Sequence, residues 1–191
     1  LQRPQNPPHR LVDQAVGRIL WALEASGQAD NTIIVFTSDH GDMMGSHTLL
    51  AKGVLYEEAV RIPMLLRAPF RGIRRGRIEQ PISQIDLVPT LLELMGKKPD
   101  GPLQGQSLLP LLHGGRLREE HVYVQWPNPR SQAVISPEGW KLAAFESGNS
   151  LLFNLAEDPL EMRNLYYRGE AAAELRKLHA RLEEWRKRVK L

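Results

Sequence analysis

The chain has 191 residues, 42% hydrophobic and 25% charged, a balance that predicts a globular, core-forming protein and excludes a disordered one. A formal net charge of +3 is too small to predict nucleic-acid binding, and no apolar run reaches the length of a membrane span. The absence of cysteine excludes disulfides, thiolate metal sites and a cysteine nucleophile within these residues. The chain opens on Leu1, with no charged start followed by an apolar run. It therefore reads as a processed or excised piece whose targeting signal would lie upstream, compatible with a secreted or periplasmic protein.

Residues 1–9 hold three prolines and read as a linker or surface loop. From Arg10 to Ser26, Leu11, Val12, Ala15, Val16, Ile19, Leu20 and Leu23 fall on one helical stripe, and Gly27 is a plausible stop. Thr32–Thr37 is apolar on both faces, which predicts a central strand covered by helices on either side. It runs into Ser38-Asp39-His40-Gly41-Asp42, and Lys52 follows twelve residues after His40. Ligands of open α/β sheets bind just beyond the carboxyl ends of strands. An Asp-His pair there, with a lysine a short loop away, is suited to holding a cation and an anionic substrate together. Asp42 reads as a helix cap, and Met43 and Met44 as fillers of irregular core space.

Leu55–Val60 predicts a short helical turn, with Glu57 and Glu58 at its start. Ile62–Arg67 predicts a second sheet strand, with Pro63 marking its beginning or a bulge. Residues 69–77 form a turn-rich loop whose Arg71, Arg74, Arg75 and Arg77 are read as solvated rather than as a polyanion site. Asp86 is expected to cap a helix running to Met95 and ended by Gly96.

A second organisation begins near residue 118. His121–Trp126, Gln132–Ser136, Trp140–Phe145 and Leu151–Leu155 are short segments separated by turn residues, the pattern of an antiparallel meander. Glu170–Val189 is a long amphipathic helix that would cover one face of this sheet. The fold class is thus α/β: the end of a mixed, mainly parallel, helix-covered sheet over residues 1–117, then a small α+β subdomain over 118–191 with its antiparallel sheet packed under the C-terminal helix. Trp126 and Trp140 lie near loops of that sheet. Packing under the last helix is the default for both, and shaping a substrate pocket is the alternative.

Two patches resemble the type I sulfatases of the alkaline-phosphatase-like superfamily. Ile33–Arg67 is similar to the segment in which that family places a metal-binding Asp followed by Asn or His, then a lysine ahead of a Tyr-Glu pair (here Tyr56-Glu57). Leu151–Leu165 resembles its late signature of a strand followed by Asp-Pro, Glu and Asn-Leu. Gln84–Leu94 and Gly105-Gln106-Ser107-Leu108 fit the same order.

The resemblance implies that Asp39 and His40 help bind a divalent metal, usually calcium. It implies that Lys52 contacts the sulfate as the catalytic and substrate-binding cation, with His47 a weaker substrate contact. On ligand chemistry alone the metal's identity stays open, because calcium prefers oxygen donors and imidazole suits zinc, manganese or iron. The family's nucleophile is a formylglycine made from Cys or Ser in a Cys/Ser-x-Pro-x-Arg motif. That motif and the early aspartate pair are absent here and would belong to an N-terminal part. The expectation is therefore the C-terminal part of a sulfatase, acting as a whole on a sulfated small molecule or glycan, without nucleic acid or membrane, and inactive as an isolated piece. The alternatives are a phosphodiesterase or phosphonate monoester hydrolase of the same superfamily, and a non-catalytic interaction or structural fragment.

Overall fold

The computed structural model describes residues 8–73, 75–126 and 131–189. In chain order the elements are α1 (Pro8–Ala25), β1 (Ile34–Thr37), α2 (Glu57–Val60), β2 (Met64–Arg67), α3 (Leu87–Leu94), α4 (Leu109–Leu112), β3 (Val122–Trp126), β4 (Ser131–Ile135), β5 (Trp140–Phe145), β6 (Leu151–Asn154) and α5 (Ala172–Val189). The fold is mixed α/β, with a small antiparallel sheet and a long C-terminal helix. The chain divides into two compact units, one holding residues up to Phe36 with Leu65–Ile73, the other Thr37–Met64 with 74–191.

In the first unit α1 forms where the 3.6-residue stripe places it, yet Leu11, Val12, Ile19, Leu20 and Trp21 are exposed. β1 is hydrogen-bonded to β2, and Phe36 remains exposed, so β1 is not covered on both faces here. Arg67 ties the unit together, donating to the Ala29 carbonyl at 2.6 Å and pairing with Asp30 at 3.2 Å.

The second unit is built on the sheet β3-β4-β5-β6, in which every neighbour is antiparallel. Val124 faces Ala133, Ala133 faces Ala143 and Ala143 faces Leu151, which fixes the side to which each residue points. One face carries Val134, Leu142 and Leu152, buried with Leu165, Ala171, Leu178 and Leu182 under α5. Each such leucine contributes roughly 1.5–3 kcal/mol through burial. Tyr123 stacks on Trp185 of α5 with centroids 5.1 Å apart, and Trp140 packs against this cluster, as expected for it.

The opposite face carries Trp126, Val124, Ala133, Ala143, Lys141 and Phe153. Residues Gly53–Glu57 are strapped across it. Gly53 lies on Trp126, Leu55 is buried on Ala133 and Ala143, and the Tyr56 ring meets Phe153 at 6.1 Å. The strap ends at a buried ion cluster. Lys141 Nζ lies 2.8 Å from Glu57 Oε1 and 2.8 Å from Glu161 Oε1, and the Glu57 amide donates to Glu161 Oε2 at 2.6 Å. The Lys141 and Glu161 side chains have no exposed surface at all. Removing such charges from water costs several kcal/mol per ion, so each requires its partners. Glu161 sits at φ +54, a left-handed conformation that costs a side-chain-bearing residue energy and is held by this cluster.

The loop after β6 explains its own sequence pattern. Asp158 accepts the amides of Met162 and Arg163, and Asn164 accepts those of Leu152 and Tyr166 while donating to the Ser150 carbonyl. Together these bonds hold Glu161 beneath the strap.

Of two expected helix caps, one is qualified and one corrected. Asp86 ends a 3-10 turn, Gln84–Asp86, opened by a capping box with Ser83. It holds the N-cap position of α3 as expected, but its buried carboxylate bonds no amide of that helix; it accepts the amides of Ser83 and Gln106 and so ties a distant loop to the start of α3. Asp42 starts no helix; its Oδ1 accepts the Met44 amide at 2.9 Å in a side-chain turn. Met43 is buried as expected, whereas Met44 points to solvent. Arg74 lies outside the described residues.

Burial pushes the Glu161 carboxyl above its ordinary value of 4.5, and the Lys141 charge and the Glu57 amide pull it back. Lys141→Met removes that counter-charge and leaves two carboxylates facing each other. Denaturant unfolding is expected to show a loss of about 3–5 kcal/mol. A carboxyl whose folded pKa is raised contributes stability below its ordinary pKa and loses it as pH climbs through the raised value. The deficit of the variant therefore grows as pH rises above the ordinary carboxyl value of 4.5.

Candidate functional site

Asp39 and His40 follow directly on the carboxyl end of β1, and the next residue shows how they are held. The Gly41 amide donates to the Ala59 carbonyl at 2.9 Å, and a Cβ at position 41 would fall 1.8 Å from the Glu58 carbonyl oxygen. Only glycine lets the backbone approach α2 this closely. The Asp-His-Gly triplet is thus two polar side chains and the backbone contact that pins them to α2.

Asp39 Oδ1 accepts the His40 amide at 2.9 Å, and Oδ2 lies 3.4 Å from His40 Nε2. His40 Nδ1 is 2.7 Å from the Gly41 carbonyl, which can only accept, so in the neutral ring Nδ1 carries the proton. Nε2 then presents its lone pair beside a carboxylate oxygen. Two such donors repel each other unless a cation joins them, and an imidazole fixed through its other nitrogen by a carbonyl is the usual support of a metal-ligating histidine. The residues present therefore fit two ligands of a divalent cation. Among the described residues, no cluster of three or more His, Cys, Asp or Glu completes such a site. Hydrogen bonds from the His40 and Asp39 amides hold the Asp39 carboxyl below its ordinary 3.8, and the Lys52 charge pulls the same way. Asp39 is 84% exposed, so its carboxylate is open to a ligand.

Between His40 and Lys52 the chain forms a closed loop. Its base is the Met43 amide donating to the Ala51 carbonyl at 2.8 Å, anchored by the buried Met43 side chain. Met44, His47, Thr48 and Ala51 all adopt positive φ within it. Lys52 follows immediately, exposed, and Gly53 at φ +101 turns the chain into the strap. Lys52 and the Asp39–His40 pair thus leave the two sides of one hydrogen-bonded loop base.

His47 lies elsewhere in the loop. Its ring stacks on Tyr56 with centroids 4.0 Å apart and planes 13° from parallel, and only 13% of the side chain is exposed. Its Nε2 is 4.0 Å from Glu58 Oε1, too far for a hydrogen bond, and neither that nitrogen nor Glu58 Oε2 has a partner. His47 therefore packs the loop onto the strap and keeps a free polar atom facing Glu58. Burial and the nearby Glu161 and Glu58 charges push the Tyr56 hydroxyl up, so it stays neutral.

Sequence reasoning missed Lys141, which reads as an ordinary strand lysine, and gave Glu57 only a helix-start role.

The family model Sulfatase matches residues 9–97. An N-acetylglucosamine-6-O-sulfatase of Bacteroides thetaiotaomicron is 34% identical over 192 residues, covering 94% of this chain and 34% of that protein. Among solved structures, BT4656 in complex with its substrate D-glucosamine-2-N,6-O-disulfate superposes with a TM-score of 0.81 at 32% identity, covering 94% of this chain and 39% of that one. The phosphonate monoester hydrolase of Agrobacterium radiobacter gives a TM-score of 0.81 at 30% identity, covering 93% and 39%. The chain spans about a third of the length of the curated relatives it matches. It belongs to the sulfatase family, within the alkaline-phosphatase-like superfamily, and corresponds to the C-terminal portion of the full-length members.

Proposed function

We propose that this chain is the C-terminal part of an enzyme that hydrolyses sulfate esters of small molecules or glycans. The observation that carries this is the adjacent Asp39 and His40 side chains, with His40 Nε2 3.4 Å from Asp39 Oδ2 and His40 Nδ1 held by the Gly41 carbonyl, beside Lys52 at one loop base. Asp39 and His40 would hold a divalent cation, taken to be calcium as in the family; when bound, it supplies positive charge to the ester oxygens. Lys52 places an ammonium against the same oxygens, where charge grows as the S–O bond breaks. His47 offers its Nε2 hydrogen-bonding capacity from the stacked position. The nucleophile, a formylglycine, would come from an upstream segment. On this reading residues 1–117 end the main α/β domain, and 118–191 form a subdomain whose sheet holds the strap that follows Lys52.

A second reading keeps the scaffold and exchanges sulfate for a phosphonate monoester or phosphodiester. It is favoured by the likeness to a phosphonate monoester hydrolase at the same TM-score. The two readings separate when the complete protein is assayed side by side on a sulfate ester and a phosphonate monoester of the same alcohol.

In the complete protein, Lys52→Ala is expected to lower kcat/KM for a sulfate ester by roughly 10²–10³-fold without altering thermal stability. An unchanged rate would remove Lys52 from the site. Asp39→Ala is expected to release bound divalent metal, read by elemental analysis of the dialysed protein; retention of full metal content would strike Asp39 from the ligand set. The 191 residues alone are expected to show no turnover of an aryl sulfate above background, because no candidate nucleophile accompanies Lys52 in this chain.

A further inference from the structure

Trp126 ends β3, the edge strand of the small sheet, on the face that carries the strap. A Cβ added to Gly53 would lie 3.5 Å from Trp126 Cζ2, 3.8 Å from Cε2 and 4.0 Å from Nε1, so one edge of the indole faces the residue after Lys52 across the width of a methyl group. Trp126 is 38% exposed, whereas Val124, next along the same face, packs into the cluster around Leu55. An indole needing only burial would sit with Val124 over that cluster. Instead the ring lies at the edge of the sheet, beside the backbone that leads out of the sulfate-binding lysine.

We propose that Trp126 is a specificity-determining residue: its ring forms a wall beside Lys52 against which the substrate lays a sugar or aryl ring carrying the sulfated oxygen. The inference rests on the sulfate-ester reading. Indole faces attract flat apolar surfaces and the C–H face of pyranoses, and they leave a small acyclic alcohol without a partner. Gly53 suits the turn into the strap, because a side chain there would be strained at φ +101.

The test uses the complete protein with three sulfate esters, one of a pyranose, one of a phenol and one of a short acyclic alcohol. Trp126→Ala is expected to raise KM for at least one ring-bearing ester about tenfold. Its kcat should be nearly preserved, and KM for the acyclic ester should stay within about twofold of the parent. Trp126→Phe keeps a ring and is expected to recover most of the loss, which separates the wall from a packing defect. Preference between the pyranose and phenol esters identifies which ring the wall receives. Equal KM shifts on all three esters, a fall in kcat alone, or no change overturns the proposal while leaving the hydrolase reading intact. A parent protein that turns over none of the three overturns the hydrolase reading, and this proposal with it.

Discussion

The buried pairing of Lys141 with Glu57 and Glu161 is the interaction on which the second unit depends. It joins a strand of the small sheet, the first residue of α2 and the loop after β6, three places far apart in sequence. Hydrophobic contacts such as Leu55 on Ala133 and Ala143 bring the strap onto the sheet, but apolar surfaces slide. Lys141 and Glu161, with no exposed surface, tolerate no such slack, because displacement would leave a buried charge without its partner. The cluster thus sets the register of Gly53–Glu57, and with it the point from which Lys52 leaves the strap. Lys141 acts in this arrangement through Glu57 and Glu161 alone, its side chain being wholly buried.

Upstream of the strap, the same logic operates through backbone contact. Gly41 presses against the carbonyl of Glu58, so the Asp39–His40 pair is referenced to the helix whose first residue the ion cluster holds. The two sides of the candidate site, a pair of metal-seeking donors and a lysine, are therefore fixed to one short helix. Their relative placement does not rely on long flexible side chains finding each other.

Much of this was legible in the residues. The alternation in β3–β6 and the helical stripe of α5 each point to one face, and burial follows those faces. Asp39, His40 and Lys52 stand out because their chemistry is unusual after an apolar strand. Lys141 was illegible, since nothing local marks a strand lysine as buried; its partners lie 84 and 20 residues away. His47 was visible as a histidine in the right loop, but its stacking on Tyr56 depends on backbone at φ +51, which sequence patterns do not favour for that residue type. The stripe of α1 gave the helix, and periodicity reports which face is apolar and not what meets it.

The hydrogen bond between Met43 and Ala51 has a consequence for how such chains vary in length. It closes the loop at its base, so the residues from Met44 to Leu50 form a projection whose two ends are already joined. Lengthening a loop that is closed at its base adds little closure entropy and moves neither end. A change of length is then absorbed by residues of the projection clear of His47, whose ring is stacked on Tyr56 of the strap.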